Sequence, residues 1–233
     1  MSPAAVAELG RDKNMKIKIL AVLLFTLPAF AGNRVHTIKW GESTFKINVP
    51  DDHQPANEAF FNSSKTFVPP KNELIAAFQT KDSFRYTLVQ GFLPFKDKYI
   101  SEKYFASIKA GITNLIKEGG KEFKGRNEKT ISQWEKAAQD SLGSGSEFQF
   151  GVPMMFPPFD ASKNHISSQM LTRFATKTET GQASHVVLAS WTSLRQNGKV
   201  INIYNYVRFK DRNSYYQQQA EVSAANKETI SQQ

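Results

Sequence analysis

Four histidines, His36, His53, His165 and His185, are the side chains best suited to metal ligation or proton transfer in this sequence, and cysteine is absent. None of the four lies within four residues of another. A helical pair of metal-ligating histidines and the HExxH pattern are therefore missing, and thiolate sites are excluded. No metal and no cofactor is expected. A serine nucleophile would need a strand–turn–helix elbow of the G-x-S-x-G kind. Gly143-Ser144-Gly145-Ser146 comes near that pattern, but it follows a helical segment and reads as a linker. Gly119-Gly120 is too short to cradle a phosphate, and no Gly-Lys-Ser/Thr follows it. The carboxylate pair Asp51-Asp52 stands beside Pro50, which is turn chemistry. No catalytic residue is assigned. The remaining enzymatic reading is a hydrolase assembled from distant residues, with His165 or His185 beside a serine and a carboxylate in one cleft.

The segment Phe148–Phe159, FQFGVPMMFPPF, departs from a plain core pattern. Its Phe and Met side chains offer contact area, and Pro153, Pro157 and Pro158 argue against a place inside a sheet. It reads as an irregular apolar loop and a binding surface through Met154, Met155, Phe156 and Phe159. Phe60, Phe61 and Phe67, the last followed by Val68-Pro69-Pro70, form a second aromatic, proline-bound segment. If both lie at one end of the fold, they line a single groove.

The elements that must position these residues are legible from periodicity. Val35–Pro50 alternates apolar and polar on both sides of Gly41-Glu42, which predicts a β-hairpin. Strands are expected at 73–79 and 84–93. Ser101 is an N-cap for a helix to about Glu118, whose apolar stripe includes Tyr104, Phe105, Ile108, Ile112, Leu115 and Ile116. A second helix is expected over Glu128–Leu142. Three strands follow, at 166–177, 183–194 and 199–210, with Gly181 in the first turn and Asn197-Gly198 in the second. A polar helix over 214–233 closes the chain. It is expected to rest on Tyr215, Val222 and Ala225 and to fray after Lys227. Helices segregated from runs of antiparallel strands mean α+β, with a sheet of about six or seven strands and helices packed on its faces.

The stretch VVLASWTSLRQNGKVINIYNYVRF and the later Ser223-Ala224-Ala225-Asn226, taken with this element order, resemble small exported domains of the Mog1/PsbP-like group. The resemblance implies a non-enzymatic scaffold. Members of that broad group act in photosystem assembly, small GTPase binding and effector chaperoning, through protein contacts. Fold-level likeness transfers none of these roles.

Compartment is read from the N-terminus. Lys16 and Lys18 precede the apolar run Ile19–Phe30, and Ala29-Phe30-Ala31 is a small-x-small cleavage site before Gly32. The run is shorter than the roughly 20 residues that span a bilayer. Met15 begins a complete signal by itself, so residues 1–14 are either an upstream mis-start or an unusually long n-region, and in both cases stand outside the fold. Cleavage after Ala31 would leave one α+β domain, residues 32–233, in the periplasm or secreted further. The chain carries 30 Lys and Arg against 21 Asp and Glu. Removing residues 1–31 takes four basic and two acidic side chains, leaving 26 against 19, a formal charge of +7. This balance favours approach to acidic surfaces and adds at most peripheral membrane contact. The basic residues form no run, so nucleic acid is not the expected partner. The expected function is a non-catalytic binding or assembly module for another envelope or secreted protein. The alternative is a carrier of a small apolar ligand.

Overall fold

Alternation of apolar and polar residues marks several of the ten strands found among the described residues, and the computed structural model pairs all of them antiparallel. It describes residues 33–81, 85–142, 145–179 and 181–231. The expected signal segment and Gly143-Ser144 lie outside the described residues. The hairpin β1 (Asn33–Trp40) and β2 (Ser43–Pro50) forms where alternation predicts it and stands as its own two-stranded sheet. Gly41, at φ +58°, makes its turn.

The main sheet has eight strands. They are β3 (Gln54–Pro55), β4 (Asn72–Gln79), β5 (Arg85–Phe92), β6 (Glu147–Phe150), β7 (Met154–Ala161), β8 (His165–Thr178), β9 (Gly181–Gln196) and β10 (Lys199–Arg208). Their order is β3-β4-β5-β10-β9-β8-β6, with β7 also on β8. Asn197 and Gly198 both have positive φ, at 52° and 72°, and close the β9–β10 hairpin. The α+β class is as expected, with eight strands in the main sheet rather than six or seven.

Of the three strands not expected, the short β3 is one, and the other two come from the segment expected to be a loop. Phe148–Phe159 forms most of β6 and β7, which pair successively along the length of β8. Proline is tolerated here for two reasons. Both strands lie on the sheet edge, and the register is broken between Phe156 and Asp160, where Pro157 and Pro158 fall.

Five helices complete the fold: α1 (Glu58–Lys65), α2 (Glu102–Glu118), α3 (Gly120–Arg126), α4 (Glu128–Leu142) and α5 (Arg212–Ser231). Ser101 caps α2 as expected, its hydroxyl accepting from the Tyr104 N–H at 3.1 Å. Asn57 caps α1 in the same way, from Phe60 N–H at 2.8 Å. Gly119 ends α2 at φ +86°, and α3 starts at once. A Cβ at Gly120 would collide with the Pro153 carbonyl, so the absence of a side chain lets α3 sit against the β6–β7 link.

The two faces of the sheet are covered differently. One carries the hairpin and α5. Here Ile38, Trp40, Phe45, Ile47 and Val49 pack on Phe78, Val89, Leu194, Ile201 and Ile203. The Trp40 ring lies where a Cβ on Gly91 would be, and its indole N–H donates to Glu73 at 2.8 Å. The other face carries α1 to α4. Helix α5 does not fray after Lys227. Thr229 is buried, and its hydroxyl bonds the Asn48 backbone N–H at 3.2 Å and side-chain amide at 3.1 Å.

Candidate functional site

The second face of the sheet is not filled. Alternation in the strands turns Tyr86, Leu88 and Gln90 of β5, Tyr204 and Tyr206 of β10, His185, Val187, Ala189 and Trp191 of β9, and Met170, Thr172 and Phe174 of β8 toward one space. Phe60 of α1, Ile112 and Leu115 of α2, Phe123 of α3 and Trp134 of α4 face them from the helical side. Between the two layers lies a cavity of about 650 Å³, inside the range of about 300–1,000 Å³ usual for small-molecule sites.

Polar ties to the edge strands hold the helices in place. Lys109 of α2 donates to the Ser162 carbonyl at 2.6 Å, and Lys124 of α3 to the Phe150 carbonyl. Glu135 of α4 accepts the Phe150 N–H at 2.8 Å. The helices are thus fixed at their margins by hydrogen bonds while their apolar sides face the cavity.

The lining is aromatic and carries no Lys, Arg, Asp or Glu among the described residues. Phe150 packs edge-on against Phe174 at 5.3 Å, and Phe148 lies 5.6 Å from the same ring. On β5 and β10, Tyr86 stacks on Tyr206 at 4.7 Å, Tyr204 stacks beyond it at 6.3 Å, and Phe60 meets Tyr86 edge-on at 5.5 Å. Burial pushes the Tyr86 and Tyr204 phenols up to about 12. Burial, and then the two neighbouring phenols, raise Tyr206 well above the usual tyrosine value. All three therefore stay protonated donors at any physiological pH. His185 stands exposed, the one histidine on the lining.

The expected binding residues separate. Phe60, Phe67 and Met155 line the cavity, with Phe67 42% exposed. Phe61 packs on the cluster of Leu74, Ala77 and Leu88 with Lys65 over its ring. Met155 pairs with Met170 on the cavity face, so its neighbours Met154 and Phe156 turn the other way, opposite Leu171 and Gln169. Met154 is 60% exposed, and Phe156 packs on Tyr215 of α5 at 4.9 Å. Phe159 is half-buried in the irregular stretch of β7 and outside the cavity lining. The single groove expected of all seven does not form, because a strand sends adjacent residues to opposite faces. Sequence reasoning missed Tyr86, Tyr204, Tyr206, Trp191 and Trp134. The signal for the four strand residues was aromatic side chains on β5, β9 and β10, and for Trp134 a place on the apolar side of α4, both of which read equally as core.

The histidine–serine–carboxylate arrangement sought in the sequence has a counterpart. Ser162 Oγ lies 2.7 Å from His165 Nδ1, and His165 Nε2 lies 3.1 Å from Asp160 Oδ1. The three are neighbours across the β7–β8 turn, and none lines the cavity. The His165 ring is buried, and its Nε2 contact to Asp160 lacks hydrogen-bond alignment. Ser162 Oγ accepts the Asn164 N–H, and the Ser162 N–H donates to the His165 carbonyl. Asn226 of α5 donates to Asp160 Oδ2 and Ser167 Oγ, both at 2.9 Å. These bonds build a tight turn and tie it to α5. A hydrolase needs the same groups open to a cleft. No group of three or more metal-ligating side chains is gathered among the described residues, and no described helix is long and apolar enough to cross a membrane.

No known family model matches the chain, and no curated protein is significantly similar to it.

Proposed function

We propose that this protein is an exported, non-catalytic binding protein that holds a small apolar ligand between its sheet and its helices. The observation that carries this reading is the 650 Å³ aromatic cavity with few polar groups. A core of ordinary packing leaves few voids larger than a water molecule. Here the space between the two layers is left open. Each methylene that a ligand buries there contributes about 0.8 kcal/mol. Recognition of another protein through the β6–β7 segment has weaker support, since its Phe and Met side chains point to different faces. Export rests on the N-terminal signal pattern, and the basic balance would bring the mature protein toward acidic surfaces.

Filling the cavity tests the reading. Val187 is half-buried on the lining, and Val187→Trp puts an indole into the space while keeping a strand-compatible residue. The native protein should bind an environment-sensitive apolar dye, and Val187→Trp should weaken that binding at least about tenfold, or 1.4 kcal/mol. Circular dichroism confirms that the variant is folded. Equal dye binding by a folded variant sinks the cavity as the site.

A further inference from the structure

The cavity combines an apolar body with one polar corner, and that corner has an unusual composition. Tyr86, Tyr204 and Tyr206 line it side by side, and none of their hydroxyls has a hydrogen-bond partner among the described residues. The hydroxyls are also not sealed off from the cavity, since they are not among the closed-in polar atoms lacking a partner. Some of the nearby polar side chains are already engaged. Gln90 accepts from Asn72 at 2.9 Å, Thr172 donates to the Gly151 carbonyl, and Asn127 donates to the Phe123 carbonyl. The three phenols, with the amide N–H groups of Gln90 beside them, are therefore donors of the β5–β10 end that face the cavity without a protein partner among the described residues. The three phenols open into the cavity side by side, so a ligand's polar atom can accept from their O–H groups in place of solvent.

The sign of that atom follows from the rest of the lining. No ammonium or guanidinium group faces the cavity and its one imidazole, His185, stands exposed, so a carboxylate or phosphate taken into the apolar interior without a buried cation is strongly disfavoured. No carboxylate faces it either, so a cationic head lacks a partner. We infer that the ligand is an uncharged amphiphile, an apolar body bearing one hydrogen-bond-accepting head such as an ester or ketone, seated with that head on Tyr86, Tyr204 and Tyr206. This rests on the cavity reading above and deepens it.

Trp134 and Trp191 line the cavity, whereas Trp40 lies on the opposite face of the sheet, so tryptophan emission reports occupancy directly. The probes are dodecane, methyl laurate and laurate, which share a chain length and differ in the head. The native protein should bind methyl laurate about tenfold more tightly than dodecane, and at least about tenfold more tightly than laurate. The combined variant Tyr86→Phe, Tyr204→Phe, Tyr206→Phe should bind dodecane as the native protein does and prefer methyl laurate by less than about twofold. The three single variants, each losing part of the preference, carry the test if the combined variant does not fold. Tyr216→Phe, outside the cavity, should change nothing. Equal binding of dodecane and methyl laurate, or an unchanged preference in the folded Phe variants, overturns the tyrosine head site and leaves the cavity reading standing. Tightest binding of laurate overturns the uncharged head. Failure of all three probes to bind overturns both readings.

Discussion

His53 shows how one side chain can be central to the fold without serving chemistry. Its ring is buried beside β3, and Nδ1 lies 2.8 Å from Asp52. Arg85 joins the group by bonding both Asp52 and Glu221 of α5. Burial lowers the His53 pKa below its ordinary value, and it outweighs the opposing pull of Asp52 and Glu221. His36 is lowered too, first by burial and then by Arg34. The unfolded chain therefore binds protons at these positions more readily than the folded one. Stability is complete above about pH 6.5 and falls as the pH drops from there toward the lowered folded values. His53→Gln should flatten the decline in melting temperature between about pH 7 and pH 5 without abolishing it, because His36 remains. Thermal melts across that range check this, and an unchanged slope refutes it. His53 was visible in the sequence only as a histidine near a turn. Its electrostatic setting includes Glu221 of α5, from 168 positions away in the chain.

At the scale of elements, α5 departs most from its sequence reading. It has no strong apolar stripe, and only Val222 among its described apolar residues is fully buried. Polar side chains dock it instead. Gln218 donates to the Asn205 carbonyl at 2.9 Å and accepts from Gln169, while Asn226 and Thr229 reach β7, β8 and β2. Such contacts are specific because each buried donor must meet its acceptor. Asn226→Ala removes two bonds at once and leaves Asp160 Oδ2 without its α5 donor, so it should cost about 2 kcal/mol. Gln217→Ala, at an exposed position on the same helix, should stay within about 0.5 kcal/mol of the native protein. Denaturant unfolding measures both. Equal effects would mean that α5 does not depend on this network. Helix α2 is the contrary case. Its apolar spacing, Ser101 cap and Gly119 stop are all local signals, and its bounds match the expectation.

For the whole molecule, the export reading makes a prediction by mass. Protein recovered from an envelope fraction should begin at Gly32 and lack the preceding 31 residues, and a retained, membrane-bound full-length form would refute it. What the sequence determined by itself were features written in short stretches of chain. The β1–β2 alternation, the Asn197-Gly198 turn, the helix α2 and the α+β class depend on side-chain period and on backbone preferences of neighbouring residues. Tertiary structure decided what depends on distant partners. Phe148–Phe159 became strands because β8 supplies an open edge that a proline-bearing segment can join. Helix α5 stayed ordered to Ser231 because its polar side chains find partners up to 181 positions away. The cavity lies where α2, α3 and α4, tied at their margins by hydrogen bonds, stand over one sheet face without filling the space between. No local pattern encodes that space. An aromatic residue at an alternate strand position looks the same to sequence whether the opposing layer touches it or stands away from it.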